Sequence, residues 1–371
     1  MTDVFSPLSV VEIRLDAIRH NYLLLQKRLA RGCDLAAAVK ADAYGLGAES
    51  VAPELYRAGC RHFYVAHAVE GIAVRAVLPE DAGKAQVYVL HGSGGAPPED
   101  LTCHGLIPVL NSFGAIETWS ARAKREERKL PAVVHFDTGM NRLGLAAAEA
   151  ARLCAAPEIL NPLDLRYAMS HLACADEPDH PKNKQQLEKF KSLTAELGVP
   201  CRLSFANSSG IFLGDGYHFD QARAGCALYG INPIPAAANP MQNVITLKAR
   251  ILQIRDAAAG ETVGYGAAYT AAQAVKLATI SVGYADGLLR SFGKNGMVYI
   301  GGRACPLAGR VSMDLIVADV TGVTAAVGDE AEIIGPHQPV DVAAAAAGTI
   351  GYEILTDLGK RYKRIYTGAD A

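Results

Sequence analysis

The chain has 371 residues, half of them hydrophobic and a fifth charged, which is enough to bury sizeable cores and too apolar for a disordered chain. With 36 Lys plus Arg against 38 Asp plus Glu, its formal net charge is −2, so nothing in its charge points to nucleic acid or an anionic membrane as partner. At about 150 residues per domain, the length suggests two domains, one of which can be a large closed barrel.

The opening MTDVFSPLSVVEIRLD carries acids and lacks a basic stretch ahead of an apolar core, so it does not read as an export signal. Within it SVVEIRLD (9–16) is strand-like and precedes a helical stretch, AIRHNYLLLQKRLA (17–30); this strand is a candidate to pair with the C-terminal region. Eight strand-like runs follow: CDLAAAVKAD (33–42), HFYVAH (62–67), QVYVLHG (86–92), LIPVLN (106–111), LPAVVHFDT (130–138), LDLRYAMSHL (163–172), CRLSFANS (201–208) and FDQARAGCAL (219–228). Helical stretches separate them, among them 48–59, 117–128, 146–156 and 183–198. In the last, Leu187, Phe190, Leu193 and Leu197 recur at helical spacing, and Gly198 and Pro200 stop it. Strand–helix alternation argues for a parallel sheet, and eight repeats in about 230 residues fit a (β/α)8 barrel of the TIM type. An open doubly wound sheet is the alternative, and it lacks a G-x-G-x-x-G after the first strand.

The proline-bearing INPIPAAANP (231–240) reads as a linker, and short strand-like runs follow it: VITLKARILQI, KLATISVGYADG, GMVYIGG, VSMDLIVADV and DEAEIIG. The expected architecture is a barrel over 1–240 and a mostly β domain over 241–371. No apolar run reaches the roughly 18 residues a membrane span needs; VAAAAAG (342–348) is far shorter. The eight cysteines form no C-x-x-C and read as free thiols of a reducing cytoplasm.

In such barrels the working residues sit at the C-terminal ends of the strands. Lys40 closes the first strand. Burial there would lower its pKa, which suits an imine-forming amine, or it snorkels to the strand end or pairs with Asp42. Tyr44, Gly45 and Gly47 follow, a tyrosine hydroxyl and close-approach glycines suited to an anion, or simply a turn. Arg142 in DTGMNRLG is a solvated charge or a carboxylate clamp. His171 is a core histidine unless other polar groups join it. The loops after strands seven and eight, holding Asn207, Ser208 and Gly225, occupy the recurrent phosphate position of this architecture. Arg223, inside an apolar strand, needs a partner to be tolerated. Tyr265 lies between two glycines on a loop, where interface tyrosines are common. No His, Cys, Asp and Glu cluster has metal-ligand spacing, and no G-x-S-x-G or P-loop occurs.

The ordered set KADAYGLGA, DTGMNRLG, SHLACAD, ANSSG, RAGCALYG, VGYGAAYTA, SVGYADG, GRVSMD and GYEI resembles the alanine racemases, pyridoxal-phosphate enzymes of fold type III, over nearly the whole chain. That resemblance implies an N-terminal barrel, a C-terminal β domain and a cytoplasmic homodimer with shared active sites. It implies that Lys40 holds pyridoxal phosphate as a Schiff base and serves one face of the substrate, and that Tyr265 serves the other. His171 would contact Tyr265 and Arg223, and Arg223 would face the pyridine nitrogen. Tyr44, Asn207, Ser208, Gly225, Cys226 and Tyr352 match the cofactor cradle. Arg142, Tyr284, Met313 and Asp314 match the substrate pocket and its entrance. The implied product is D-alanine, a peptidoglycan precursor, with alanine breakdown as the other cellular role. Seven residues before Arg142, where some relatives carry a carbamylated lysine, this chain has His135, so no carbamate is expected and Arg142 must be held otherwise.

A fold-type III amino-acid decarboxylase would carry an acid at the pyridine nitrogen, and Arg223 argues against it. A non-catalytic pyridoxal-phosphate carrier would be a single barrel, and residues 241–371 argue against that. A racemase of broader specificity is the nearer alternative.

Overall fold

The eight apolar runs form eight short parallel strands that close on themselves. A computed structural model of the chain describes residues 7–79, 83, 85–94 and 98–369; the first six residues of the opening segment lie outside these. After β1 (Ser9–Arg14) come the barrel strands β2 (Asp34–Ala38), β3 (His62–Val65), β4 (Gln86–Val89), β5 (Leu106–Leu110), β6 (Leu130–His135), β7 (Leu163–Met169), β8 (Arg202–Ser204) and β9 (Gln221–Ala224), each parallel to the next. The barrel shuts where β2 pairs with β9, Asp34 opposite Gln221 and Ala37 opposite Ala224. Each falls within one of the predicted runs, and the alternation that suggested a barrel reflects a real (β/α)8 fold.

Helices cover the outside. Pro181–Leu197 buries Leu187, Phe190 and Leu197, and Phe190 stacks on Phe205 with ring centroids 4.9 Å apart. Burying such a side chain contributes about 1.5–3 kcal/mol. Gly198, at φ +64°, ends the helix in the left-handed cap that glycine adopts freely. Tyr64, Tyr88 and Tyr167 are buried in the barrel strands, with Tyr64 and Tyr88 stacked at 4.6 Å. The interior is thus a packed core, and function is left to the rim.

The second sheet is built on the long β10 (Ile245–Ala257) with β13 (Val275–Ile280), β14 (Met297–Ile300), β15 (Arg303–Pro306), β16 (Ile316–Asp319), β17 (Glu330–Ile334) and β18 (Lys363–Thr367), while β11 (Thr262–Val263) and β12 (Tyr269–Thr270) form a separate two-stranded hairpin. β1 lies in this sheet, antiparallel to β10 and parallel to β18. The alanine-rich run forms the helix Val340–Ala347, and Gly351–Thr356 follows it. This second helix meets the barrel mouth so closely that a Cβ on Gly45, at φ +80°, would lie 2.2 Å from the Leu355 carbonyl oxygen. Among the described residues no helix is long and apolar enough to cross a membrane.

Candidate active site

The sequence pattern ends the first barrel strand at Lys40; the structure ends it at Ala38 and starts something else. From Ala41 to Tyr44 four consecutive residues take φ of 51°, 54°, 53° and 56°, a turn of left-handed helix without glycine. Each such L-residue costs about 1–2 kcal/mol, so the turn must be held from outside. The Ala41 N–H donates to Glu70 Oε1 at 2.7 Å, and the Ala48 N–H donates to Asp42 Oδ1 at 2.7 Å. From the second sheet, Arg364 donates to the Gly45 carbonyl and the Tyr366 hydroxyl to that of Leu46, the latter at 3.0 Å. Lys40 stands at one end of this turn and Tyr44 at the other. Burial first, and then the positive charge of Arg142, lower the Lys40 pKa from its usual 10.5, against the opposing pull of Glu70. A larger fraction of the amine is then free at neutral pH.

Arg223 is 5% exposed on β9 and meets no carboxylate among the described residues. Its guanidinium donates to Ser204 Oγ at 2.6 Å, to the Ser170 carbonyl at 2.5 Å and to the Phe205 carbonyl at 3.3 Å, and it lies 3.2 Å from His171 Nδ1. An arginine has only donors, so His171 Nδ1 accepts, and its neutral ring carries the proton on Nε2. Burial, then Arg223 and Arg142, hold the His171 pKa well below the ordinary value, which keeps the imidazole neutral.

Across the mouth, Ser208 Oγ accepts the N–H of Gly225 at 2.8 Å and of Ala227 at 3.4 Å. Asn207 is used locally, its Oδ1 accepting the Gly210 N–H at 2.9 Å. Gly225 is required by close approach, since a Cβ there would lie 2.4 Å from Tyr44 Oη. The Tyr44 ring stacks on Tyr229 at 4.7 Å and lies 6.1 Å from Tyr352, so it cannot easily give way. Cys226 is buried beside this cluster.

The Arg142 side chain is exposed, and its loop is what the structure holds. Asp137 Oδ1 accepts the N–H of Gly139, Met140 and Asn141 at 2.8, 2.9 and 3.2 Å. Burial raises the Asp137 pKa, but these three bonds prevail and keep it below the ordinary value. The loop closes where Leu145 N–H donates to the His135 carbonyl at 2.7 Å. Buried His135 pairs through Nδ1 with Asn111 Oδ1 at 2.8 Å, and burial, then Arg223, push its pKa down to about 3. A neutral histidine therefore occupies the position at which some relatives carry a carbamate.

The remaining four residues lie in the second domain. Tyr265 is 74% exposed on the turn between β11 and β12, and Tyr284 and Met313 are 44% and 53% exposed. The Tyr284 N–H donates to the Ser312 carbonyl and the Ala285 N–H to that of Met313, both at 3.0 Å, so Tyr284 and Met313 share one loop pair. Asp314 pairs with Arg361 at 2.8 Å. Among the described residues, no hydrogen bond, ion pair or ring contact joins these four side chains to Lys40, His171 or Arg223. One chain thus brings together Lys40, Tyr44, Arg142, His171, Ser208, Arg223 and Gly225, and leaves Tyr265 apart.

Residues the motifs did not single out complete the mouth. Ser204 was hidden in a strand, and only its place two residues before the phosphate-position loop could have marked it. Asp137 opens the DTGMNRLG motif, as an acid would that caps a glycine-bearing turn. Glu70 stands three residues after His67, the spacing at which a side chain reaches back over a helix start.

Residues 13–233 match the alanine racemase N-terminal domain, and residues 244–366 match the C-terminal domain. The chain belongs to the alanine racemase family. It is 46% identical over 376 residues to the alanine racemase of Brucella canis, covering 96% of this chain and 93% of that one. It is 46% identical over 358 residues to the catabolic alanine racemase of Agrobacterium fabrum, covering 95% and 91%. Among solved structures, the alanine racemase of Bartonella henselae with covalently bound pyridoxal phosphate superposes with a TM-score of 0.93 at 41% identity, covering 98% of this chain and all of that one. Within the matched N-terminal domain, Arg223 stands on β9, and Lys40 and Gly225 lie just past the ends of β2 and β9.

Proposed function

We propose that this chain interconverts L- and D-alanine with pyridoxal phosphate as cofactor, using Lys40 and the Tyr265 of a second copy as bases on opposite faces of the α-carbon. Family membership supports alanine racemisation. When bound, pyridoxal phosphate supplies a ring that draws electrons from the α-carbon and makes its proton removable. The donor set at the mouth suits that group. Lys40 offers an amine of lowered pKa, Tyr44 and Ser208 offer hydroxyls around the close-approach Gly225, and Arg223 offers a guanidinium. Cys226, through its backbone, with Asn207 and Tyr352 would complete the cradle, and Arg142 would clamp the substrate carboxylate.

The observation that carries the reading is Arg223, buried and bonded only to neutral acceptors. It stays charged and can only donate, so an aromatic nitrogen held against it would stay unprotonated and its ring would draw electrons only weakly. A donor-only group at that place argues against decarboxylation, which would want an acid there. A tyrosine ordinarily keeps its proton to about pH 10. The Nε2–H of His171 can donate to a phenolate oxygen and favour its charged form. The exposed Tyr265, Tyr284 and Met313 form the surface a second copy would cover, which supports a homodimer. We read residues 1–240 as the cofactor unit and 241–371 as the unit that supplies Tyr265, Tyr284, Met313 and Asp314. The eight free cysteines suit the cytoplasm.

The test is direct. The purified protein should be yellow and convert L-alanine to an equal mixture of enantiomers by chiral chromatography. Serine, lysine and arginine in the same run set its breadth. Release of carbon dioxide, or bound cofactor with no turnover, would contradict the reading.

A further inference from the structure

We propose that Glu70 is a positioning residue for Lys40, tying the left-handed turn after Lys40 to the neighbouring strand–helix junction and so fixing where the amine points. The proposal rests on the reading of Lys40 as cofactor lysine and base. The last backbone bond from β2 to β3 and its extension is Val39 N–H to the Tyr64 carbonyl, at 2.9 Å. Past it, Glu70 takes over. It is the third residue of the helix Ala68–Val77 that follows β3. Its Oε2 accepts the N–H of Ala66 at 2.7 Å and of His67 at 3.0 Å, and its Oε1 accepts the Ala41 N–H at 2.7 Å. Ala41 opens the run of four left-handed residues and is the residue directly after Lys40.

A carboxylate can accept all three donors, whereas a glutamine presents one oxygen and turns an NH2 toward N–H groups. Glu70 is also the anion among the charged and titratable groups that face Lys40, the others being Arg142, His91 and His171. Removing its charge leaves Lys40 facing Arg142 and two imidazoles, which lowers its pKa further.

The experiment uses Glu70→Gln in the full chain. Pyridoxal phosphate is stripped from wild type and variant, and recombination is followed by visible absorbance across pH. We expect recombination slower by about 10–100-fold, with its pH midpoint moved down. In the reloaded enzyme, the α-deuterium isotope effect should rise only in the direction in which Lys40 takes the proton. Unchanged recombination and isotope effects would overturn the proposal. So would an equal rise in both directions with a lowered melting temperature, which marks a merely structural role. If Glu70→Gln does not fold, the double variant with Ala41→Gly, which accepts φ +51° without strain, is measured instead. Folded double variant with slowed recombination supports the proposal, and failure of both to fold overturns it. A wild type that neither binds the cofactor nor racemises alanine would sink the functional reading, independently of Glu70.

Discussion

The barrel mouth and the Tyr265 surface differ in completeness. At the mouth, the segments that carry the groups with proposed roles are anchored within one chain: Arg223 by four neutral partners, the Arg142 loop by Asp137, the Lys40 turn by Glu70 and Arg364. On the second domain, Tyr265, Tyr284 and Met313 present large side chains to solvent. Buried polar groups are costly unless satisfied, so a preorganised half-site must be built internally. An exposed aromatic patch costs stability little and gains its meaning from a partner. On the proposed reading, one chain would build the cofactor half of a site and present Tyr265 for the site of a second copy.

Substitutions should divide along the same line. Lys40→Ala would remove the proposed reactive group of the barrel mouth. It should abolish the visible absorbance of bound cofactor and cut racemisation by more than about 10⁴-fold; retention of the band would show that another lysine holds it. Gly225→Ala forces a Cβ against Tyr44, which Tyr229 backs, and should cost about 1–3 kcal/mol in denaturant melts and weaken cofactor binding. A cost near zero would mean that Tyr44 moves freely.

The same half should be sensitive to acid. His135 is held near pH 3 in the fold against about 6.5 unfolded, and His171 is shifted in the same direction. A depressed folded pKa leaves stability intact above about 6.5 and removes it as pH falls toward 3, at about 1.4 kcal/mol per pH unit for each histidine. His135→Asn should flatten that slope in melts between pH 6 and 4, and an unchanged slope would show that His135 takes up its proton without cost. Tyr284→Ala, on the exposed half, should shift the melting of dilute protein by no more than about 0.5 kcal/mol. A loss above about 2 kcal/mol would place Tyr284 in the core and dissolve the contrast.

The sequence made the two halves unequally legible. The barrel strands were visible because parallel strands buried on both faces read as apolar runs, and Arg223 was visible as a charge in one of them. The turn after Lys40 was not. In Ala-Asp-Ala-Tyr only Asp42 has any left-handed tendency, and the groups that hold the turn, Glu70 and Arg364, lie about 30 and 320 residues away. Ser204 was hidden for the same reason, since a serine in a strand declares nothing until an arginine from the next strand meets it. The C-terminal motifs marked Tyr265 and Tyr284, but a sequence holds no sign of which chain's site they serve.

The central claim is that the site is shared between two copies, and mixing two inactive variants tests it most directly. Lys40→Ala and Tyr265→Ala chains, unfolded together at equal concentration and refolded, should recover about a quarter of wild-type racemisation, because half of the dimers are hybrids and each hybrid holds one intact site. Activity that stayed at the level of the separate variants, with hybrid dimers confirmed by mass spectrometry, would place Tyr265 and Lys40 in the same chain's site and contradict the account.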